Sequence, residues 1–184
     1  MKKIILITTT LILISFVTFP QISTSNLPSL IKLDVLESKK GLIIKPNFRN
    51  IELLMNIDYH KLEPTMTYYK YEVGASDDLN KSYLYSKSNT EDITSIFWVN
   101  NGRKIIFTFQ PEEHNLFEGF KKELSNAIDN KLVSFDNVSF GIDSNGNPIE
   151  EYWIKTINKT LYLKFHETTN SKGGKTSTVV ITRK

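Results

Sequence analysis

ITSIFWVNNGRKIIFTFQPEEHNLFEGFKKELSNAIDN, residues 93–130, reads as strand, tight turn, strand and helix. Ile96 and Trp98 alternate into the turn Asn100-Asn101-Gly102, and Ile105, Phe107 and Phe109 alternate out of it. Asn and Gly tolerate positive φ, so Asn-Gly between alternating apolar runs is a strong hairpin signal. A two-residue turn at Asn101-Gly102 places Trp98 opposite Ile105, on one face with Phe107 and Phe109. Pro111 then opens a helix. Glu112 and Glu113 fall in its first turn and Lys121 and Lys122 lie further along, as the helix dipole favours. Leu116, Phe117, Phe120, Leu124 and Ile128 form one apolar stripe. Asn130 is suited to end the helix in a left-handed conformation.

Working outward, an earlier helix begins at Asn47, a good N-cap preceded by Pro46. Phe48, Ile51, Leu54 and Met55 share its apolar face. Asp58 caps a short turn over Tyr59–Glu63, which Pro64 is expected to stop. Strands are expected at Thr67–Val73, Ser82–Lys87, Ile93–Val99 and Arg103–Gln110. After the second helix come strands at Leu132–Ile142, Glu150–Ile157, Leu161–His166 and Ser177–Thr182. Residues 26–45 carry the weakest pattern, with a turn signal at Lys39-Lys40-Gly41, and are expected to pack loosely.

Both halves read helix, then strands. Phe97-Trp98 precedes a turn and Ile105–Phe109; Tyr152-Trp153 precedes a turn and Leu161–Phe165. If the two are equivalent, a three-residue turn at Ile157-Asn158-Lys159 sets Trp153 on one face with Leu161, Leu163 and Phe165. A two-residue turn at Asn158-Lys159 would set it opposite Lys164 instead. The fold class is therefore α+β. Two tandem helix-plus-antiparallel-meander units, 46–110 and 111–184, form a single domain over 46–184, with helices on one face of antiparallel sheet. In topology this pattern resembles the tandem helix–sheet architecture of the beta-lactamase inhibitory protein family, which implies a concave sheet that holds another protein. The chain carries no motif of that family, so the likeness concerns fold.

Residues 1–25 read as a secretory signal peptide. Lys2 and Lys3 start it, Ile4–Val17 is apolar, and Ser23-Thr24-Ser25 offers small residues for cleavage after Ser25, with Ser23 and Gln21 as alternatives. The apolar run falls short of the ~20 residues of a membrane span, although an uncleaved anchor is the competing reading. The chain is thus expected to be periplasmic or secreted, and bacterial. The sequence has 23 Lys+Arg against 20 Asp+Glu. The signal takes two Lys and no acid with it, leaving 21 against 20, or a net +1. No concentrated positive field remains for nucleic acid. The absence of Cys removes thiol catalysis, thiolate metal sites and disulfides.

No catalytic constellation declares itself. His60, His114 and His166 are dispersed, with no His pair at the i, i+4 spacing of a helical zinc site, so neither metal nor cofactor is expected. Glu112-Glu113 and Glu150-Glu151 point apart on helix and strand respectively. Asp143–Asn147 has oxygen donors at alternate positions, but position 12 of a calcium loop would be Ile154, in a strand; a hairpin loop is expected. The aromatic residues are more informative. Tyr68, Tyr83, Tyr85, Phe97, Tyr152 and Tyr162, interleaved with Lys164, are expected on a sheet face away from the helices. Tyr combines area with a polar tip, so such a face would suit a protein, peptide or glycan. The leading expectation is a non-catalytic binding module. The alternatives are a hydrolase of envelope glycan or peptide, with acids such as Glu72, Asp136 or Glu151 assembled by folding, and a structural envelope protein.

Overall fold

The computed structural model describes residues 30–38, 41–85, 94–157, 159–169 and 173–184. The signal-peptide reading of residues 1–25 lies outside them. The fold is α+β: the described residues form three α-helices, one eight-stranded antiparallel sheet and a two-stranded ribbon. The ribbon is β1 (Val35–Ser38) and β2 (Gly41–Ile44). Helices α1 (Phe48–Met55) and α2 (Tyr59–Tyr68) follow. Strands β3 (Tyr71–Ser76), β4 (Lys81–Tyr85), β5 (Ser95–Val99) and β6 (Lys104–Phe109) make the first meander. A 3-10 turn at Pro111–Glu113 leads into α3 (His114–Asp129). The second meander is β7 (Ser134–Ile142), β8 (Pro148–Lys155), β9 (Thr160–Thr169) and β10 (Lys175–Arg183). The spatial order is β3-β4-β5-β6-β10-β9-β8-β7, so the meanders join where β6 pairs with β10.

The hairpin at Asn101-Gly102 has the expected register. Trp98 pairs with Ile105, and Asn100, Asn101 and Gly102 all adopt positive φ. Gly102 is required there for a second reason: a Cβ would sit 2.9 Å from both the Met55 carbonyl oxygen and Trp98 Nε1. Trp98 Nε1–H donates to the Leu54 carbonyl at 2.9 Å, which locks the hairpin to the end of α1. Asn47 caps α1 by accepting from the Asn50 N–H at 2.8 Å.

One face of the sheet is the core. Tyr83, Ile96, Phe107, Val179 and Phe165 form a continuous cross-strand row, all at 2% exposure or less. Leu116, Phe117, Phe120, Leu124 and Ala127 of α3 cover it, with Ile51, Leu54 and Met55 of α1. Among the described residues no helix is long and apolar enough to cross a membrane.

Several expectations are corrected. Pro64 does not stop its helix: α2 runs on to Tyr68, so Thr67 and Tyr68 are helical and the strand starts at Tyr71. Leu62, Thr65 and Met66 are buried along this helix, and their packing outweighs one lost hydrogen bond at the exposed His60 carbonyl. Lys70, with φ of 66°, makes the reversal into β3. Asn130 is not left-handed at the end of α3; its neighbour Lys131 is, with φ of 57°.

The segment 26–45, from Leu30 onward, is not loosely packed. Leu33, Ile43 and Ile44 are buried, and the β1–β2 ribbon lies over Tyr71 and Tyr85. The Ile44 N–H donates to Tyr71 Oη at 3.2 Å, and the Leu33 N–H donates to Tyr69 Oη at 2.8 Å. The Tyr85 hydroxyl occupies the space a Gly41 Cβ would need, and Gly41 has a φ of 129°. Such buried polar contacts with distant tyrosines leave no local sequence signal.

The residue likeness between the halves does not survive in three dimensions. Trp153 pairs with Tyr162, and Ile154 with Leu161, so Trp153 lies on the face opposite Leu161, Leu163 and Phe165. The hairpin closes with the Thr156 N–H donating to the Lys159 carbonyl at 2.8 Å, which is neither of the two expected turns. Trp98 is a core residue and Trp153 is not.

Candidate functional site

The second face of the eight-stranded sheet carries no helix among the described residues. Its side chains follow from the register. One row runs Ser82, Phe97, Ile106, Val180, Lys164, Glu151 and Ser139. A second runs Lys104, Thr182, Tyr162, Trp153 and Asn137. Phe97 is 38% exposed, and Ile106, Val180, Tyr162 and Trp153 are half-buried. One half of this face is apolar and the other is polar and aromatic.

The polar half is tightly organised. Tyr162 Oη donates to Glu151 at 2.7 Å, and Lys164 Nζ lies 3.7 Å from the same oxygen. Desolvation, reinforced by the bond to Glu151, pushes the Tyr162 hydroxyl up to about 12. Tyr162 therefore stays a neutral donor in ordinary solution. The Tyr162 and Trp153 rings are 4.8 Å apart, and Lys184 Nζ sits 3.7 Å from the Trp153 ring centre. A cation over an indole face and a neutral phenol beside a carboxylate suit polar recognition of a ligand that also presents apolar surface.

The expected aromatic set does not stay together. Phe97, Tyr162 and Lys164 share the open face. Tyr83 and Tyr85 do not: they are 0% and 3% exposed beneath the helices and the N-terminal ribbon, which corrects their expected exposure. Alternation does put the two on one face, but pairing Tyr83 with Ile96 makes that face the core. The Tyr83 hydroxyl has no hydrogen-bond partner among the described residues, and burial raises its pKa. Tyr152 also lies on the helix side, edge-on to Phe165 at 5.8 Å and donating to Glu150 at 3.0 Å. Tyr68, 59% exposed, belongs to α2, where it borders an apolar hollow of about 410 Å³ with Leu30, Leu33, Val35 and Leu42. Sequence reading missed Trp153, Ile106 and Val180 as open-face residues. Period-two alternation could have found Ile106, given the register of Trp98 opposite Ile105.

The carboxylates named for a hydrolase do not converge. Glu72 is on β3 and Asp136 on β7, the two opposite edges of the sheet. Asp136 pairs with Lys155 at 3.1 Å, and Glu151 is held by Tyr162 and Lys164. A different group is assembled at the helix-covered face. His114, Glu118 and Glu167 bring one possible ligand atom each to within 4.8 Å of one another. Counting His–His spacing could not reveal this mixed set. His114 Nδ1 lies 2.9 Å from the buried Ser177 hydroxyl, and Lys121 and Lys175 lie 3.9 Å and 3.5 Å from Glu118 and Glu167. These cations already compensate the two carboxylates.

His166 Nε2 lies 3.0 Å from Asp143, which anchors the β7–β8 loop. Asp143 accepts from the Asn145 and Asn147 N–H groups and from Asn147 Nδ2, at 2.8–2.9 Å. The Asn147 side-chain bond first, then its backbone bond and those from His166 and the Asn145 N–H, hold its carboxyl well below the usual carboxylate range. A depressed carboxylate contributes stability that is complete above its unfolded pKa of about 3.9 and is lost as pH falls further. Thermal melts of Asp143→Asn should therefore show a shallower fall in Tm below about pH 4 than the parent chain. Parallel curves would mean that the loop bonds do not favour the ionised form.

A scan of protein-family models finds none that matches the chain, and a search of curated proteins finds no match either.

Proposed function

We propose that this chain is an exported, non-catalytic binding module that holds a protein, peptide or glycan on the open face of its sheet. The observation that carries this reading is the row Phe97, Ile106, Val180, continuous with Tyr162, Trp153 and Lys164, which no helix among the described residues covers. An uncovered face of mixed apolar and aromatic character marks an interaction surface. The basic start, apolar run and small residues of positions 1–25 support export, to the periplasm or beyond, with the mature chain starting near Asn26. Glu72 and Asp136, on opposite sheet edges, lend the hydrolase reading no support.

Capture from the host's own envelope fraction tests the proposal. The double variant Phe97→Ser, Tyr162→Ser should retain the parent Tm to within a few degrees, because both side chains are outside the helix-covered core. It should lose at least about tenfold in affinity, since aromatic anchors concentrate binding energy. Undiminished capture would place the contact elsewhere. Capture of nothing by either form would favour a structural envelope role.

A further inference from the structure

Among the described residues the outermost strand of the second meander is the most exposed strand. Eight of the nine residues of β7 are exposed, and only Val138 is half-buried. Phe140 and Ile142 are 70% and 73% exposed. An edge strand presents a row of backbone donors and acceptors to any strand that can pair with it, and proteins usually blunt such edges with charge, proline or bulges. Asn137–Ile142 has no charge, no proline and an unbroken ladder to β8. The opposite edge is blunted: β3 breaks register between Val73 and Ser76, bears Glu72, and runs into Asp77 and Asp78.

We infer that β7 is the contact through which two copies of this chain pair, edge to edge and antiparallel, in a register centred on Phe140. A two-fold axis perpendicular to the sheet keeps each face on its own side. Residues brought opposite must therefore share a face, so the register centres on a residue. Val138, Phe140 and Ile142 project on the helix side, while Asn137, Ser139 and Gly141 project on the open side. Centring on Phe140 sets Phe140 against its own counterpart and Val138 against Ile142 of the second copy, twice. Ser139 then meets Gly141, which is small enough for close approach. Aromatic and β-branched cross-strand pairs are the favourable kind. Centring on Ser139 would instead put Ile142 against Asp136. Centring on Val138 would bring in the bulge between Phe135 and Asn137. The stretch is thus complementary to itself in one register.

With cleavage after Ser25 as proposed above, four residues precede Leu30, and at ~3.5 Å each they reach no further than ~14 Å. Leu30 lies beside Tyr59 and Tyr68 of α2, at the β3 end of the sheet. Seven strand spacings of about 4.8 Å put β7 some 35 Å away. Phe140 and Ile142 have 70% and 73% of their surface open, so with the edge backbone the contact buries under ~1,000 Å² over both copies, the range of transient complexes. The pair is a reversible dimer whose two open faces lie on the same side, as one extended surface. This holds whether or not that surface binds as proposed above.

The chain has no Cys, which makes a clean test available. Opposite residues in an antiparallel pair have Cα atoms ~4.5–5.5 Å apart, within the range of a disulfide. Phe140→Cys, purified as the whole exported chain and mildly oxidised, should give a disulfide-linked dimer at several times the yield of Ser125→Cys, an exposed position on α3. In sedimentation velocity the parent chain should move toward twice its monomer mass as concentration rises, while Phe140→Lys stays monomeric with an unchanged Tm. Equal crosslinking at positions 140 and 125, or a parent chain monomeric at every concentration, overturns the inference. Monomeric parent chain whose β7 becomes protected only on adding an extended peptide would show that a foreign strand is the occupant, and overturns it too.

Discussion

Phe120→Ala is expected to destabilise the protein by about 3–5 kcal/mol. Phe120 is 2% exposed and stands where three elements meet. Its ring is edge-on to Phe48 of α1 at 5.4 Å and tilted against Phe165 of β9 at 5.6 Å. Truncation removes the apolar area of the ring and leaves a cavity that α1, α3 and the sheet cannot all close, because each is fixed by other contacts. Phe117 and Leu124, both buried, flank the site on the same helix. Urea denaturation read by far-UV circular dichroism gives the number. A loss below about 1 kcal/mol is what a surface site would show, and would mean that the α3 stripe does not anchor the sheet.

Asn50→Ala is expected to cost about 2–4 kcal/mol, through unpaired polar groups rather than lost apolar area. Asn50 is fully buried on α1. Its Oδ1 accepts from the Asp34 N–H at 2.8 Å, and its Nδ2 donates to the carbonyls of Asp34 at 2.8 Å and Lys45 at 2.9 Å. Two backbone groups at the base of the β1–β2 ribbon, the Asp34 N–H and the Lys45 carbonyl, therefore lose this partner, while the Asp34 carbonyl keeps a second one. The Lys45 N–H to Asp34 carbonyl bond, at 3.0 Å, closes the same base. Each orphaned buried group costs ~1–3 kcal/mol, and water entering beside Asp34 offsets part of the sum. Hydrogen exchange should show the loss concentrated in residues 33–45. The adjacent Arg49→Ala breaks a 2.6 Å ion pair to Asp34 that is about half exposed, and should cost under about 1 kcal/mol. If the two substitutions cost the same, the amide network is not what holds the ribbon.

The two substitutions mark the boundary of what can be read without coordinates. Phe120 was legible as core because a stripe at 3.6-residue spacing has only one apolar side to bury. Asn50 was not, because its partners Asp34 and Lys45 come from a segment with weak periodicity, and an Asn inside a helix carries no local mark of a long-range amide bond. The same holds for Tyr69, Tyr71 and Tyr85, whose rings or hydroxyls meet the backbone at residues 33–44.

Local chemistry determined most of the elements, though not the β1–β2 ribbon or the end of α2, and one register. Asn101-Gly102 set the β5–β6 pairing, because positive φ at consecutive residues permits few other turns, and Asn47 and Pro111 marked the starts of helical segments. Alternation also determined that Tyr83 and Tyr85 share a face. Which face that is depended on the pairing of β4 with β5, and so on tertiary structure. The β6–β10 junction, the continuation of α2 through Pro64 and the placing of Trp153 opposite Trp98 were likewise decided only by packing. The physical reason is common to all of them. Turn chemistry and periodicity act within a few residues. Burial of a common core selects among registers that are locally equivalent, and in doing so it decides which aromatic rings become core and which are left for a partner.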